Sequence, residues 1–365
     1  SPSKSNKTLR SVPNAVEENN MSVNKQCEIV KEKLSGRSES IFELYLQNRC
    51  SAYGSFCDLL YPFSRNQSNC VMPIIEIVTP NRFSFKHTIR SHGWYDLLPF
   101  VIDAENESLS FVSNNSGQPV FVTISECDSG LSIDVNADSF DRDVVERDVR
   151  HLLRLDDEMD AFYAVAEKAG YVVWAAEANA GRLLRSPTVW EDLVKSLCTT
   201  NCTWAVTRNM TTKLVEELGD PTNCGRKAFP TAEAMATRDA AFYREVVRAG
   251  YRADYFAELA ESVAAGKIDP ESWLTSDLPT AELKKEMKKV KGVGDYAAEN
   301  LLKLVGRYDG LALDSWLRAG FYKKHNKGKK CDDKKIERHY RKFGPWQGLA
   351  IWCDMTEDWF NGTGR

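Results

Sequence analysis

Residues Leu283–Arg318 read LKKEMKKVKGVGDYAAENLLKLVGRYDGLALDSWLR, and the fold turns on this stretch. Apolar spacing predicts a helix over Ala281–Val290, a tight turn at Lys291-Gly292-Val293-Gly294, and a second helix over Asp295–Val305. A loop over Gly306–Leu313 then leads to Asp314 at the start of a third helix. Two glycines flanking one apolar residue allow a sharp turn with no Cβ in the way, so that the amides of Val293, Gly294 and Asp295 can point outward together. Such a turn at a helix N-terminus can hold a phosphate, although a Gly-x-Gly alone serves equally well as a plain structural turn. Its backbone at Gly292 and Gly294 is also a candidate seat for a monovalent ion; no side-chain metal site and no cofactor are expected.

Working outward, the spacing from Gly294 to the acid in Leu313-Asp314-Ser315-Trp316 adds a second feature. Together the turn and the acid resemble the helix-hairpin-helix DNA glycosylases, whose hairpin holds the DNA backbone and whose aspartate follows at this distance. The resemblance implies a repair enzyme that takes double-stranded DNA containing a damaged base as its partner. It covers roughly Phe83–Trp352, strongly over Leu183–Arg318 and loosely before that.

The whole chain bounds this reading. Its 365 residues are 42% apolar and 10% aromatic, enough for more than one domain with a real core. No apolar run is long enough to span a membrane. Ten cysteines at irregular spacings read as reduced thiols, which points to an intracellular protein, nuclear by its implied substrate, with organelle targeting left open. Some relatives carry an iron-sulfur cluster on four cysteines after the aspartate; only Cys331 and Cys353 follow Asp314, so no cluster is expected. Cys198 and Cys202, one turn apart, read as packed thiols or as a shared metal pair. The net charge is −4, but Lys323–Lys342 is dominated by Lys and Arg, so Lys323 and Lys291 become candidates for backbone contacts, or simply solvated lysines.

Three regions follow from composition and period. Residues 1–38 are polar and read as disordered, residues 39–140 as an antiparallel sheet domain, and residues 141–365 as a helical glycosylase core, an α+β arrangement. Ser40–Ser68 does not sort into either period. Period-two alternation predicts five strands, at Ile75–Val78, Arg82–Phe85, Leu109–Val112, Val120–Ile124 and Leu131–Val135. Helical spacing follows from Val144 onward, and Pro187 is expected to open the helix carrying Trp190, Leu193, Val194 and Leu197.

The chemistry rests first on Asp314. Breaking an N-glycosidic bond builds positive charge on the sugar, which a carboxylate can stabilise while orienting water. Asp is equally a favoured helix N-cap, and the two roles are compatible. Members of the family that also cut the strand carry a lysine two positions after the second glycine, for Schiff-base chemistry; here that position is Tyr296, which implies a water-using, monofunctional enzyme. Leu197-Cys198-Thr199-Thr200-Asn201 resembles a Cys-Ser-Ser-Asn stretch in the oxidised-guanine branch, which gives Asn201 the role of filling the gap left by the flipped nucleotide. Gly250-Tyr251-Arg252-Ala253-Asp254-Tyr255 resembles Gly-Tyr-Arg-Ala-Arg-Tyr, making Tyr251 a wedge and Arg252 a reader of the orphaned base. The alternatives are a capped helix end at Asn201 and helix-start packing at Tyr251. Tyr296, Trp316, Trp94 and Trp204 are candidate walls of the base pocket, each of which could equally be core. Electron-rich rings attract cations, so an alkylated purine such as 3-methyladenine is the favoured lesion. Separately, the protein is expected to act as a monomer.

Overall fold

The computed structural model describes residues 74–360 apart from Ser116; the polar tail at 1–38 and the unsorted segment at Ser40–Ser68 lie outside the described residues. Strands β1 (Ile74–Ile77), β2 (Val101–Asp103), β3 (Ser108–Asn115), β4 (Gln118–Cys127) and β5 (Gly130–Asn136) form one antiparallel sheet in the order β1-β5-β4-β3-β2. Register sets Val122 opposite both Phe111 and Val135. Alternation puts Val120, Val122, Ile124, Leu131, Ile133 and Val135 inside, on the face covered by helix α2 (Arg142–Leu153) through Val145, Val149 and Leu152.

Two strand expectations change. Arg82–Phe85 is not a strand: Ser84 is the extended N-cap of the short helix α1 (Phe85–Ile89), and Thr88 N–H bonds to Ser84 O at 3.0 Å. Arg82 turns away to Asn179 and the Ala176 carbonyl and lies 4.1 Å over the Tyr163 ring. The fifth strand is β2 instead, and its three residues are too few to show a period.

Helices α3 (Asp160–Ala166) and α4 (Val173–Glu177) join this core, as do α12 (Ser315–His325), α13 (Asp333–Tyr340) and α14 (Gln347–Phe360). The second core is built from α5 (Val189–Thr199), α6 (Trp204–Leu218), α7 (Ala232–Ala236), α8 (Ala240–Glu245), α9 (Ala253–Ala264), α10 (Thr280–Met287) and α11 (Asp295–Leu304). Pro187 stands before α5 rather than in its first turn. Thr188 is the cap, its hydroxyl accepting from Glu191 N–H at 3.2 Å.

The two cores are tied at the C-terminus of α11. The buried guanidinium of Arg154 donates to the Lys303 and Leu304 carbonyls at 3.1 Å each, and Arg185 also donates to Leu304 O. The Lys303 carbonyl also accepts from Gly306 N–H at 3.1 Å, and the two guanidinium groups add positive charge at the helix C-terminus, as the helix dipole favours. A cleft opens along this junction. Among the described residues no helix is long and apolar enough to cross a membrane.

Candidate active site

The hairpin joins α10 to α11, and its two glycines do different work. Gly292 has φ +91°, and a Cβ there would sit 2.6 Å from the Tyr255 ring and 3.2 Å from Leu197, so only glycine fits. Gly294 has an ordinary φ of −84°, and a Cβ on it would meet nothing within 4 Å. The Val293 amide does not point outward as expected: it closes the turn onto Val290 O at 3.0 Å. The amides of Gly294, Asp295 and Tyr296 have no protein acceptor among the described residues. The Gly294 carbonyl is engaged by Ala298 N–H at 3.0 Å. Lys291 is exposed, with its amine 2.6 Å from Glu258.

Asp314 caps α12, and one carboxylate oxygen accepts from Leu317 N–H at 2.7 Å. Its other oxygen has no protein donor among the described residues. The loop that delivers it is held by α11: Glu299 accepts from Ala312 N–H at 2.6 Å, and Lys303 Nζ donates to Leu311 O at 3.2 Å. Arg318 Nη1 adds a bond to Leu313 O at 3.1 Å. Asp314, the hairpin and the face of α11 bearing Tyr296, Asn300 and Lys303 line one cavity of about 1110 Å³.

Burial, the nearby Asp314 charge and, in the opposite sense, a hydrogen bond with Thr199 set the Tyr296 phenol, with a net upward shift in its pKa. Lys303 is 2% exposed, and desolvation pulls its pKa down to about 8 against the opposing pull of Glu299 and Asp314. His92 also lines the cavity; burial lowers it to about 4, so it is neutral, hydrogen-bonded through Nε2 to Leu184 O at 2.7 Å.

The tryptophans divide. Trp316 is 42% exposed and packs on Trp352 and Trp359, with ring centroids 5.9 and 5.5 Å away. Trp94 also borders the cavity but is buried and donates to Asp192 at 2.6 Å. Burial raises that aspartate to about 7. Trp204 borders the cavity too, lying on Gly93, where a Cβ would meet its ring at 2.4 Å, and donating to Asp96 at 2.6 Å.

Asn201 and Tyr251 meet at the cavity rim across Thr200. Asn201 is exposed with φ +44°, a left-handed conformation that asparagine tolerates, in the turn between α5 and α6. Tyr251, 49% exposed, has its hydroxyl 3.2 Å from Thr200 Oγ1. Arg252 is directed elsewhere: only 4% exposed, it bonds to Leu197 O and Thr200 Oγ1, each at 3.1 Å, and so braces the Asn201 turn from behind. Lys323 is exposed in the last turn of α12, nine residues or about 13 Å along the helix from Asp314. Cys198 is buried, and Cys202 Sγ donates to its carbonyl at 3.0 Å.

No protein-family model and no curated protein matches the sequence. Solved structures do. The 3-methyladenine DNA glycosylase of Archaeoglobus fulgidus superposes with a TM-score of 0.62 at 18% identity, over 79% of this chain and 99% of the other. The 8-oxoguanine glycosylase/lyase of Clostridium acetobutylicum, bound to DNA with cytosine opposite 8-oxoguanine, gives 0.63 at 17% identity, over 79% and 95%. MBOgg1 in complex with a low-affinity DNA ligand gives 0.64 at 20% identity, over 79% and 96%. The fold is that of the helix-hairpin-helix DNA glycosylases. At these identities the likeness is one of fold, so the chemistry must come from this chain's own residues.

Several cavity residues escaped the sequence reading, Lys303, Trp352 and Trp359 among them. Lys303 lies seven positions after Tyr296 on the same α11 face, a helical spacing that could have flagged it. Trp352 and Trp359 lie on α14, far along the chain from Asp314, and only tertiary packing brings them to Trp316.

Proposed function

We propose that the protein is a monofunctional DNA N-glycosylase, acting as a monomer on double-stranded DNA that carries a damaged base. The observation that carries this reading is the Asp314 carboxylate: one oxygen caps α12, and the group lines the same cavity as the hairpin that opens α11. The free amides of Gly294, Asp295 and Tyr296 suit a backbone phosphate, with Lys291 and Lys323 as outlying cations. Tyr251 wedges into the stack and Asn201 fills the gap while the nucleotide swings into the cavity, at a cost of roughly a few kcal/mol. Arg252 supports these two rather than reading the partner base.

In the chemical step the bond between C1′ and the base nitrogen breaks and its electron pair leaves with the base. Asp314 stabilises the cationic sugar and orients water, whose oxygen bonds C1′ and whose proton passes to solvent, while a base that leaves as an anion takes up a solvent proton. Tyr296, where strand-cutting relatives carry lysine, offers no amine, so the abasic strand stays whole. Aromatic walls by themselves favour a cationic alkylated purine, the lesion read from the sequence; the Lys303 ammonium opposes it. A compartment containing DNA, the nucleus or another, follows from the substrate.

The test is incubation with duplexes that each hold one lesion, analysed with and without alkali. Breaks that appear only after alkali are expected. Release from no lesion, with tight DNA binding retained, identifies a binding protein instead, and breaks without alkali identify a lyase.

A further inference from the structure

We propose that Lys303 selects the base: its amine takes neutral damaged bases that present a carbonyl or ring-nitrogen acceptor and rejects bases made cationic by alkylation. This deepens the glycosylase reading and rests on it.

Lys303 is 2% exposed, and among the described residues no carboxylate lies within ion-pair distance of its amine. Its one hydrogen bond there goes to Leu311 O at 3.2 Å, which leaves two of three N–H donors without a protein acceptor. A buried ammonium in that condition is costly, and lining a cavity is what allows a ligand to complete it. The groups around it keep it charged without neutralising it: Glu299 and Asp314 act at a distance, His92 is neutral, the Cys353 thiol is held protonated by burial, and the Trp352 ring centroid is 5.7 Å away.

Depth assigns it to the base rather than the sugar. The amides that suit a phosphate open α11, and Lys303 lies seven residues past Tyr296, two turns or about 10 Å further along the axis. A flipped nucleotide extends from the phosphate inward, so its base reaches this depth. There an ammonium donates to a carbonyl or ring nitrogen and repels a positive ring. A purely structural lysine, bracing the Asp314 loop through Leu311, accounts for one donor and makes no distinction between bases.

The experiment compares single-turnover release of hypoxanthine, 8-oxoguanine and uracil with release of 7-methylguanine, each corrected for its rate without protein. K303M and K303R are run beside the wild type, with borohydride trapping. Wild type should release at least one neutral base about 10-fold or more faster than 7-methylguanine; K303M should shrink that ratio by about 10- to 100-fold and K303R should keep most of it. A wild type that prefers 7-methylguanine overturns the proposal while leaving the glycosylase reading intact. So does a preference that K303M leaves unchanged, a fall of all substrates by one common factor in folded K303M, or a borohydride adduct that K303M abolishes. Release of none of the four, with release of another alkylated base such as 3-methyladenine, also overturns the proposal; release from no duplex of the wider lesion panel removes the glycosylase reading itself. Should K303M not fold, the wild-type preference and its retention in K303R still decide.

Discussion

The hairpin glycines differ in what they do, and exchanging each for alanine separates stability from DNA binding. In G292A the new residue must adopt φ +91°, a left-handed conformation costing about 1–2 kcal/mol for a residue with a Cβ. Its Cβ would also overlap Tyr255 Cδ2 at 2.6 Å and crowd Leu197 Cδ2 at 3.2 Å. Leu197 is held in the second core, and the half-buried Tyr255 ring can move only toward the cavity it lines, so the overlap adds roughly 1–3 kcal/mol. The sum is a loss of about 2–5 kcal/mol, seen as a clear drop in melting temperature. G294A has no such strain, since φ is −84° and no atom lies within 4 Å of the added methyl. Replacing a glycine N-cap by alanine, offset by a stiffer unfolded chain, leaves stability within about 1 kcal/mol. That methyl does stand where a phosphate would approach the Gly294–Tyr296 amides. Losing one charge-assisted hydrogen bond of about 1.5–3 kcal/mol weakens DNA binding by roughly 10- to 100-fold. Thermal unfolding and fluorescence anisotropy with one duplex at one fixed salt concentration read the two effects. G294A binding as tightly as wild type, or melting as low as G292A, refutes the assignment of the open glycine to the phosphate.

Two further outcomes follow from the same geometry. Y296K restores an amine beside Asp314 at the loss of the Thr199 hydrogen bond, worth about 1 kcal/mol, and should produce strand breaks without alkali and a borohydride-trapped adduct; a folded Y296K that releases base but traps nothing argues that the sugar lies elsewhere. Asp192 tests the pH dependence of stability: burial holds it at about 7, so the folded state binds its proton more tightly than the unfolded state, and its ionisation lowers stability as pH rises from about 4 to 7. Asparagine keeps the oxygen that accepts from Trp94 Nε1 and Ser186 N, so D192N should melt higher than wild type at pH 8, by up to a few kcal/mol of stability, with the gap closing toward pH 5. A gap independent of pH removes the buried charge as its cause.

What could be read in advance was local. The hairpin, the Asp314 cap and the strands β3, β4 and β5 each declare themselves within a dozen residues, through glycine, a capping acid or alternation. The unread parts depend on packing across the chain. A lysine in an amphipathic helix reads as solvent-facing, yet Lys303 is enclosed because α11 is packed on both sides, by the second core and by the Leu311–Asp314 loop. An arginine after Gly-Tyr reads as a surface reader, yet Leu197 and Thr200 draw Arg252 inward. Four alternating residues at Arg82–Phe85 could not reveal that Arg82 would leave the alternation for Tyr163 and Ala176.

The central claim is that Asp314 performs the chemistry, and D314N measures it most directly, because asparagine is as good an N-cap and can still accept from Leu317 N–H. On the lesion duplex that wild type processes fastest, single-turnover release by D314N should fall by about two to three decades, equivalent to roughly 3–4 kcal/mol, with duplex affinity and melting temperature unchanged. Release by a folded, DNA-binding D314N at the wild-type rate would contradict the account.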